Sequence, residues 1–112
     1  MITITSHVLD VSSGKPAPEI EITLLVIRDN SWQEIGKGIT NENGRITDIL
    51  NKDTELKTGI YKMKFDTGKY FSNKGIKTFY PFAEVVFEIT ADEHYHIPLL
   101  LSPFGYSTYR GS

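Results

Sequence analysis

The stretch that decides the fold is HYHIPLLLSPFGYSTYRGS, residues 94–112. It contains an apolar run from Ile97 to Leu101 and, after a turn, a second run that favours extended structure, so it predicts a strand, a turn and a strand. A chain end usually frays, but no polar linker separates the tail, Tyr109 to Ser112, from these strands. We therefore expect the fold to hold this tail in place and to make its carboxylate available for chemistry.

The same alternation of apolar and polar residues continues through most of the chain. Val, Ile, Thr, Tyr and Phe are frequent, and clusters of Gly, Pro and Asn interrupt the runs at short intervals, which is typical of an all-β sandwich. A short helix is predicted from Asp66 or Thr67 to Gly75, and a tight turn at Asn41 to Gly44. Seven or eight strands are expected: Ile4 to Asp10, Ile20 to Ile27, Trp32 to Thr40, Arg45 to Leu50, Gly59 to Phe65, Phe79 to Ile89, Tyr95 to Leu101 and Gly105 to Tyr109.

Length, charge and cysteine content narrow the classes of function. A chain of 112 residues predicts a single domain, residues 1–112. The net charge of −2, without blocks of like charge, indicates no basic surface of the kind that binds nucleic acid or an anionic membrane. The absence of cysteine excludes disulfides and thiolate chemistry.

Two features of the chain bear on its location. No apolar run has the length of a membrane helix. The start of the chain, Met1 to Thr5, lacks the pattern of a signal peptide. We expect the cytoplasm, with the periplasm as the alternative if a leader was removed.

Few residues could carry chemistry. His7 and His96 fall inside predicted strands, Arg45 follows Gly44 at the exit of a turn, and Arg110 lies in the tail. Taken alone, a strand histidine is more often a ring that bonds a backbone carbonyl, and a lone arginine is more often solvated. Only their combination indicates a site.

Five motifs together carry a resemblance to a known family. They are SHVLD at residues 6–10, GKPA at 14–17, TNENGR at 40–45, HYHIPLLLSP at 94–103 and YRGS at 109–112. The chain resembles the transthyretin family and, within it, the 5-hydroxyisourate hydrolases. The hormone-carrying transthyretins share the fold but lack the terminal tetrapeptide. The resemblance implies a transthyretin-like (prealbumin-like) β-sandwich.

The resemblance also implies an activity and a set of residues. The activity is hydrolysis of 5-hydroxyisourate to 2-oxo-4-hydroxy-4-carboxy-5-ureidoimidazoline in urate (purine) degradation, with neither cofactor nor metal. Catalytic roles are implied for His7, Arg45, His96 and Ser112, and substrate-binding roles for His7, Arg45 and Tyr109. The implied assembly is a homotetramer, a dimer of dimers with sites in a channel between the dimers. The expected partner is the small substrate.

These residue types suit that chemistry. An imidazole is the side chain best suited to activate water near neutral pH. A guanidinium can stabilise an oxyanion or grip a flat ligand rich in carbonyls. The Ser112 carboxylate, ionised at neutral pH, or the Ser112 hydroxyl could fix the tautomer of a histidine. Which of His7 and His96 is the general base stays open at this point.

Alternatives from other classes of protein are kept. A non-enzymatic small-ligand carrier of the transthyretin type would bind without turnover, because a fold does not fix a function. A zinc site could use His94 and His96, two residues apart on one strand face, with His7 as a third ligand. A sandwich that serves only protein contacts would tolerate deletion of the tail.

Overall fold

Two β-sheets account for the strands of the computed structural model, which describes residues 1–51 and 53–112. Within these described residues one short helix, α1 (Thr67–Asn73), follows the sixth strand. The strands are β1 (Thr3–Asp10), β2 (Lys15–Pro16), β3 (Glu21–Arg28), β4 (Ser31–Ile39), β5 (Arg45–Ile46), β6 (Gly59–Phe65), β7 (Ala83–Ile89), β8 (His94–Ser102) and β9 (Gly105–Thr108). None of the helical segments within the described ranges is long and apolar enough to cross a membrane.

The first sheet positions the candidate site. Its order is β2-β1-β8-β9, with β5 paired to β1 beside this path. β1 and β8 run parallel, and their register places Thr5 opposite His96. The antiparallel pairing of β5 with β1 places Arg45 opposite His7. Residues from distant parts of the sequence therefore meet on one sheet.

The second sheet closes the sandwich. Its order is β4-β3-β6-β7, and all of its pairs are antiparallel. Alternation along the strands sends every second side chain into the core, which packs Ile22 and Leu24 of β3 against the apolar side chains of the other sheet. On β1 the same alternation buries Ile4 and Val8. Thr5 and His7, which alternate with these buried positions, face outward, so chemistry on that face does not disturb the core.

The predicted all-β sandwich is confirmed, and one predicted strand has the same bounds in the structure. The strict alternation of GIYKMKF forms β6 (Gly59–Phe65). The tight turn is also confirmed, because Gly44 has φ +73° and its N–H donates to the Asn41 carbonyl over 2.9 Å. The helix begins at Thr67 as predicted, although the side chain of Asp66 makes no capping hydrogen bond.

Two predicted strands are shorter than expected. The run from Arg45 to Leu50 keeps only two residues as β5, and Leu50 makes an isolated bridge to Gly36 of the other sheet. The run from Phe79 begins as β7 only at Ala83, because the chain before it bonds elsewhere. The Phe79 N–H donates to the Pro103 carbonyl over 2.9 Å.

Candidate active site

A cavity of about 250 Å³ opens on the outward face of the first sheet, where β1, β5 and β8 meet the end of the chain. Three of the predicted site residues, Arg45, His96 and Ser112, line it together. The other lining residues are Thr5, Ser6, Thr47 and His94. Polar groups that converge on a concave surface are the feature that fixes the orientation of a small ligand.

Arg45 owes its position to the turn that precedes it. The Asn41 side-chain oxygen accepts from the Arg45 N–H over 3.0 Å, and the Gly44 carbonyl accepts from the Val8 N–H over 2.8 Å. A Cβ atom at Gly44 would collide with the Val8 carbonyl oxygen. Glycine therefore serves both the positive φ and the close approach to β1 that brings Arg45 beside the cavity.

His96 is half-buried at the back of the cavity. Its Nδ1 lies 2.8 Å from the Thr5 hydroxyl. Burial lowers the pKa of His96, and the nearby positive charge of Arg45 and the imidazoles of His94 and His7 lower it further. The ring is therefore neutral at physiological pH, which is the state that a general base requires.

The last residues lie against this histidine. The Gly111 N–H donates to the His96 carbonyl over 2.8 Å. A Cβ atom at Gly111 would lie 2.5 Å from Cδ2 of the His96 ring, so only glycine lets the backbone pass this close. The contact places Ser112 at the wall of the cavity.

Arg110 also holds the tail against the first sheet, through contacts with residues 93–95. Its guanidinium donates to a Glu93 carboxylate oxygen over 2.8 Å and to the His94 carbonyl over 3.3 Å. The same group lies over the Tyr95 ring, 4.4 Å from the centroid. The expectation that the fold holds the tail is confirmed, and these contacts explain it.

Comparison with known proteins shows which family has this sequence and fold. A sequence profile of the HIUase/Transthyretin family matches residues 4–111. The chain belongs to this family. It is 47% identical over 111 residues to a probable 5-hydroxyisourate hydrolase of Caenorhabditis elegans, covering 98% of this chain and 81% of that protein.

Solved structures of the family include both an enzyme and a carrier. The 5-hydroxyisourate hydrolase of Klebsiella pneumoniae has a TM-score of 0.83 and 34% identity, covering 98% of this chain and 99% of that chain. Sea bream transthyretin in complex with thyroxine has a TM-score of 0.90 and 32% identity, covering 97% and 94%. Similarity of fold therefore does not separate the two activities.

The remaining family residues lie outside the cavity wall. His7 is half-buried on the outward face of β1, opposite Arg45, and is close enough to act on the charge of His96. Tyr109 is 58% exposed and lines a second cavity, of about 240 Å³, with Val85 and Tyr95. The structure of one chain does not bring Tyr109 to His96, and its substrate-binding role stays a prediction.

The three-histidine zinc shell does not form. Residues 1–51 and 53–112 contain no group of three His, Cys, Asp or Glu side chains arranged to hold a metal ion. The rings of His94 and His96 instead stack with centroids 6.5 Å apart, and nitrogens of both face the hydroxyl of Thr5.

Thr5 is the residue that sequence reasoning did not assign to the site. Period two along β1 places Thr5 on the same face as His7, so the signal was present. Its importance depends on the register with β8, which sets it opposite His96. That register is a tertiary property that the local pattern does not encode.

Proposed function

We propose that this protein is a 5-hydroxyisourate hydrolase that forms 2-oxo-4-hydroxy-4-carboxy-5-ureidoimidazoline. The observation that carries the proposal is the convergence of Arg45, His96 and the Ser112 terminus on one cavity. The relatives named 5-hydroxyisourate hydrolase, 47% identical in the worm and 44% identical in the mouse over nearly the whole chain, support the enzyme over the carrier.

In the proposed mechanism His96 is the general base. Its neutral imidazole takes a proton from a water molecule whose oxygen attacks a ring carbonyl of the substrate. The tetrahedral intermediate then expels the ring nitrogen, which receives a proton, and the ring opens to a carboxylate and a ureido group. The lowered pKa of His96 supports its role as the base.

Arg45 supplies the positive charge that the intermediate needs. A donor fixed at a developing oxyanion contributes about 3 kcal/mol to catalysis. The Gly44 turn fixes the backbone of Arg45, and Arg45 lines the cavity. The proposed role of His7, opposite Arg45 in the ladder, is to bind substrate and to assist proton transfer. The proposed role of the Ser112 terminus is to orient the reacting groups.

The proposed assembly is a homotetramer, a dimer of dimers. Large apolar side chains on the surface support it, since Phe79 is 72% exposed and Phe104 is 67% exposed. Their neighbours Tyr80 and Tyr106 stack edge to face with centroids 5.2 Å apart, which extends the patch. Exposed apolar patches of this kind are typical of protein interfaces. In an assembly, Tyr109 of one chain would be able to contact substrate in the site of a neighbouring chain, which it does not reach within a single chain.

The proposed compartment is the cytoplasm, with the periplasm as the alternative. We also propose that residues 1–112 form one transthyretin-like domain. Cell fractionation tests the first proposal, and a single cooperative unfolding transition tests the second.

A carrier is the second candidate, because the chain also resembles a transthyretin solved with thyroxine. A carrier would bind its ligand and leave it unchanged. The enzyme and the carrier therefore differ in one measurable quantity, the turnover of freshly made substrate.

The deciding experiment generates 5-hydroxyisourate in place with urate and urate oxidase. We expect added protein to accelerate the ultraviolet decay of this intermediate and to yield an optically active product. A variant that ends at Tyr109, lacking residues 110–112, is expected to fold but not to accelerate the decay. Folded wild-type protein without any acceleration would refute the hydrolase, and a fully active truncated variant would refute the assigned site.

A further inference from the structure

Two threonine hydroxyls and two imidazoles form a continuous hydrogen-bonded row on the outward face of β1 and β8. Thr3 Oγ1 lies 2.6 Å from His94 Nδ1. Thr5 Oγ1 lies 3.2 Å from His94 Nε2 and 2.8 Å from His96 Nδ1. The parallel register, with Thr3 opposite His94 and Thr5 opposite His96, makes this row a direct result of strand pairing.

The row has only a small number of proton arrangements. A hydroxyl carries a single hydrogen, so Thr5 can donate to one ring only and must accept from the other. If Thr5 donates to His94 Nε2, then His96 Nδ1 carries a proton and donates to Thr5. In that arrangement the neutral His96 has an unprotonated Nε2, which is the atom a general base needs.

The opposite arrangement removes the base. If Thr5 donates to His96 Nδ1, the proton of the neutral His96 ring lies on Nε2, and His94 donates its Nε2 proton to Thr5. His94 and His96 are therefore coupled through one hydroxyl. The tautomer of His96 follows from which ring accepts the Thr5 proton.

The first arrangement also gives Thr3 a partner. When His94 Nε2 accepts from Thr5, the proton of the neutral His94 ring lies on Nδ1 and is donated to Thr3 Oγ1 over the short distance of 2.6 Å. Every group in the row then has one donor matched to one acceptor. The opposite arrangement satisfies Thr3 equally, because Thr3 then donates to His94 Nδ1, so the general-base role proposed for His96 is what selects the first arrangement.

The other groups around His96 act on it by charge. His7 on β1, Arg45 on β5 and His94 on β8 affect its charged form, and Ser112 lines the same cavity. Within the described part of the chain, the one side chain that hydrogen-bonds to the His96 ring is Thr5. The orientation of the ring therefore depends on this hydroxyl.

We propose that Thr5 is a positioning residue, which together with His94 holds the His96 ring in the tautomer with a free Nε2. The inference deepens the proposed hydrolase function and rests on it. It extends the site beyond the catalytic histidines, the arginine and the tail to Thr5 and His94 in the cavity wall.

The test compares Thr5→Val with Thr5→Ser. Valine keeps the shape and the strand preference of threonine but removes the hydroxyl, whereas serine keeps the hydroxyl. Thr23→Val is the matched control, because Thr23 is a half-buried threonine of β3 in the other sheet. If Thr5→Val fails to fold, Thr5→Ala is measured in the same way and judged by the same results.

The expected result is a loss of turnover without a loss of binding. Thr5→Val lowers kcat about 10- to 100-fold, leaves KM within about twofold, and shifts the midpoint of the pH profile of kcat. Thr5→Ser recovers most of the activity, and Thr23→Val behaves as the wild type.

A second readout does not depend on turnover. The ¹⁵N chemical shifts of His96 report its tautomer directly, and we expect one tautomer in the wild type and a mixture in Thr5→Val. Unchanged kcat, unchanged pH profile and an unchanged tautomer in Thr5→Val would overturn the proposal. An inactive wild type would instead refute the hydrolase function, and the nuclear magnetic resonance result would still decide the role of Thr5.

Discussion

Replacing Gly111 by alanine tests whether the contact between the tail and the His96 ring is needed for activity. The added Cβ atom would lie 2.5 Å from Cδ2 and 3.2 Å from Cγ of that ring. Carbon atoms in favourable contact are about 3.5–4.0 Å apart, so the closer contact is about 1 Å too short. Because the ring is bonded to Thr5, we expect the tail to move and to displace Ser112 from the cavity.

The expected loss follows from this distance. A misplacement of about 1 Å in a catalytic arrangement costs about 100-fold in rate, or about 2.7 kcal/mol at 1.36 kcal/mol per factor of ten. Gly111→Ala should therefore lower kcat/KM for 5-hydroxyisourate about 100-fold. The free energy of unfolding should change by only about 0.5 kcal/mol, because the residue lies at the edge of the fold.

The assay is the initial rate of decay of freshly generated substrate, measured beside thermal unfolding of each variant. Gly105→Ala is the control, since a Cβ atom there would have Ser102 Oγ as its nearest neighbour, at an ordinary 3.8 Å. We expect this control to keep wild-type activity. A folded Gly111→Ala protein with wild-type kcat/KM would refute the reasoning, and an equal loss in Gly105→Ala would show that the ring contact is not the cause.

Three further predictions concern pH and stability. The lowered pKa of His96 keeps its imidazole neutral to lower pH, so the acid limb of the kcat profile should have its midpoint below the ordinary value of about 6.5; a midpoint above that value would contradict the assignment. Burial raises the pKa of the Asp10 carboxyl, but hydrogen bonds from Ser12, Tyr70 and Ser13 outweigh it and leave the pKa lowered. The ionised Asp10 carboxylate therefore stabilises the fold fully above its unfolded-state pKa of about 3.9, and this stabilisation is lost as pH falls through its folded-state pKa. Tyr70→Phe should lower the free energy of unfolding at neutral pH by about 1.5–3 kcal/mol, as measured by urea unfolding. Gly44→Ala should cost about 1–3 kcal/mol in the same assay, because alanine is strained at φ +73°, and wild-type stability would argue against the proposed tight approach to β1.

Local patterns predicted those parts of the fold that local physics controls. β6 (Gly59–Phe65) alternates without interruption, and half-burial of a strand demands that period. The Asn41 to Gly44 turn was predicted because Asn-Gly tolerates positive φ. In both places the sequence preference and the tertiary packing agree.

The errors occur where pairing partners decide the outcome. Beyond Ile46 the pairing with β1 stops, and Leu50 instead bridges Gly36 of the other sheet, so β5 ends after two residues although the pattern continues. Before Ala83, the N–H of Phe79 is taken by Pro103, outside the ladder of β7. Alternation in the sequence indicates that a segment could be a strand, but the hydrogen bonds that its backbone makes in the fold determine whether it is one.

The candidate site was predicted only in part, for the same reason. The resemblance supplied His96, Arg45 and Ser112, and the structure brings these three together. Neither the resemblance nor the pattern supplied Thr5, because its role depends on the parallel register of β1 and β8. Tyr109 lies in another cavity of the single chain, so the substrate-binding role that the resemblance supplied for it stays a prediction.

This sandwich can host either a carrier or an enzyme because the core and the site use different residues of the same strands. On β1 the inward positions such as Val8 are fully buried, while the outward positions carry Thr5 and His7. The outward residues can therefore change without a cost in packing. The tail adds a second independent element, since Gly111 and Ser112 contact the site without entering the core. We therefore expect a few outward side chains and the ordered terminus to distinguish an enzyme from a carrier on this fold, which is why the tail and the row of Thr5 and His94 beside His96 are the decisive places to test.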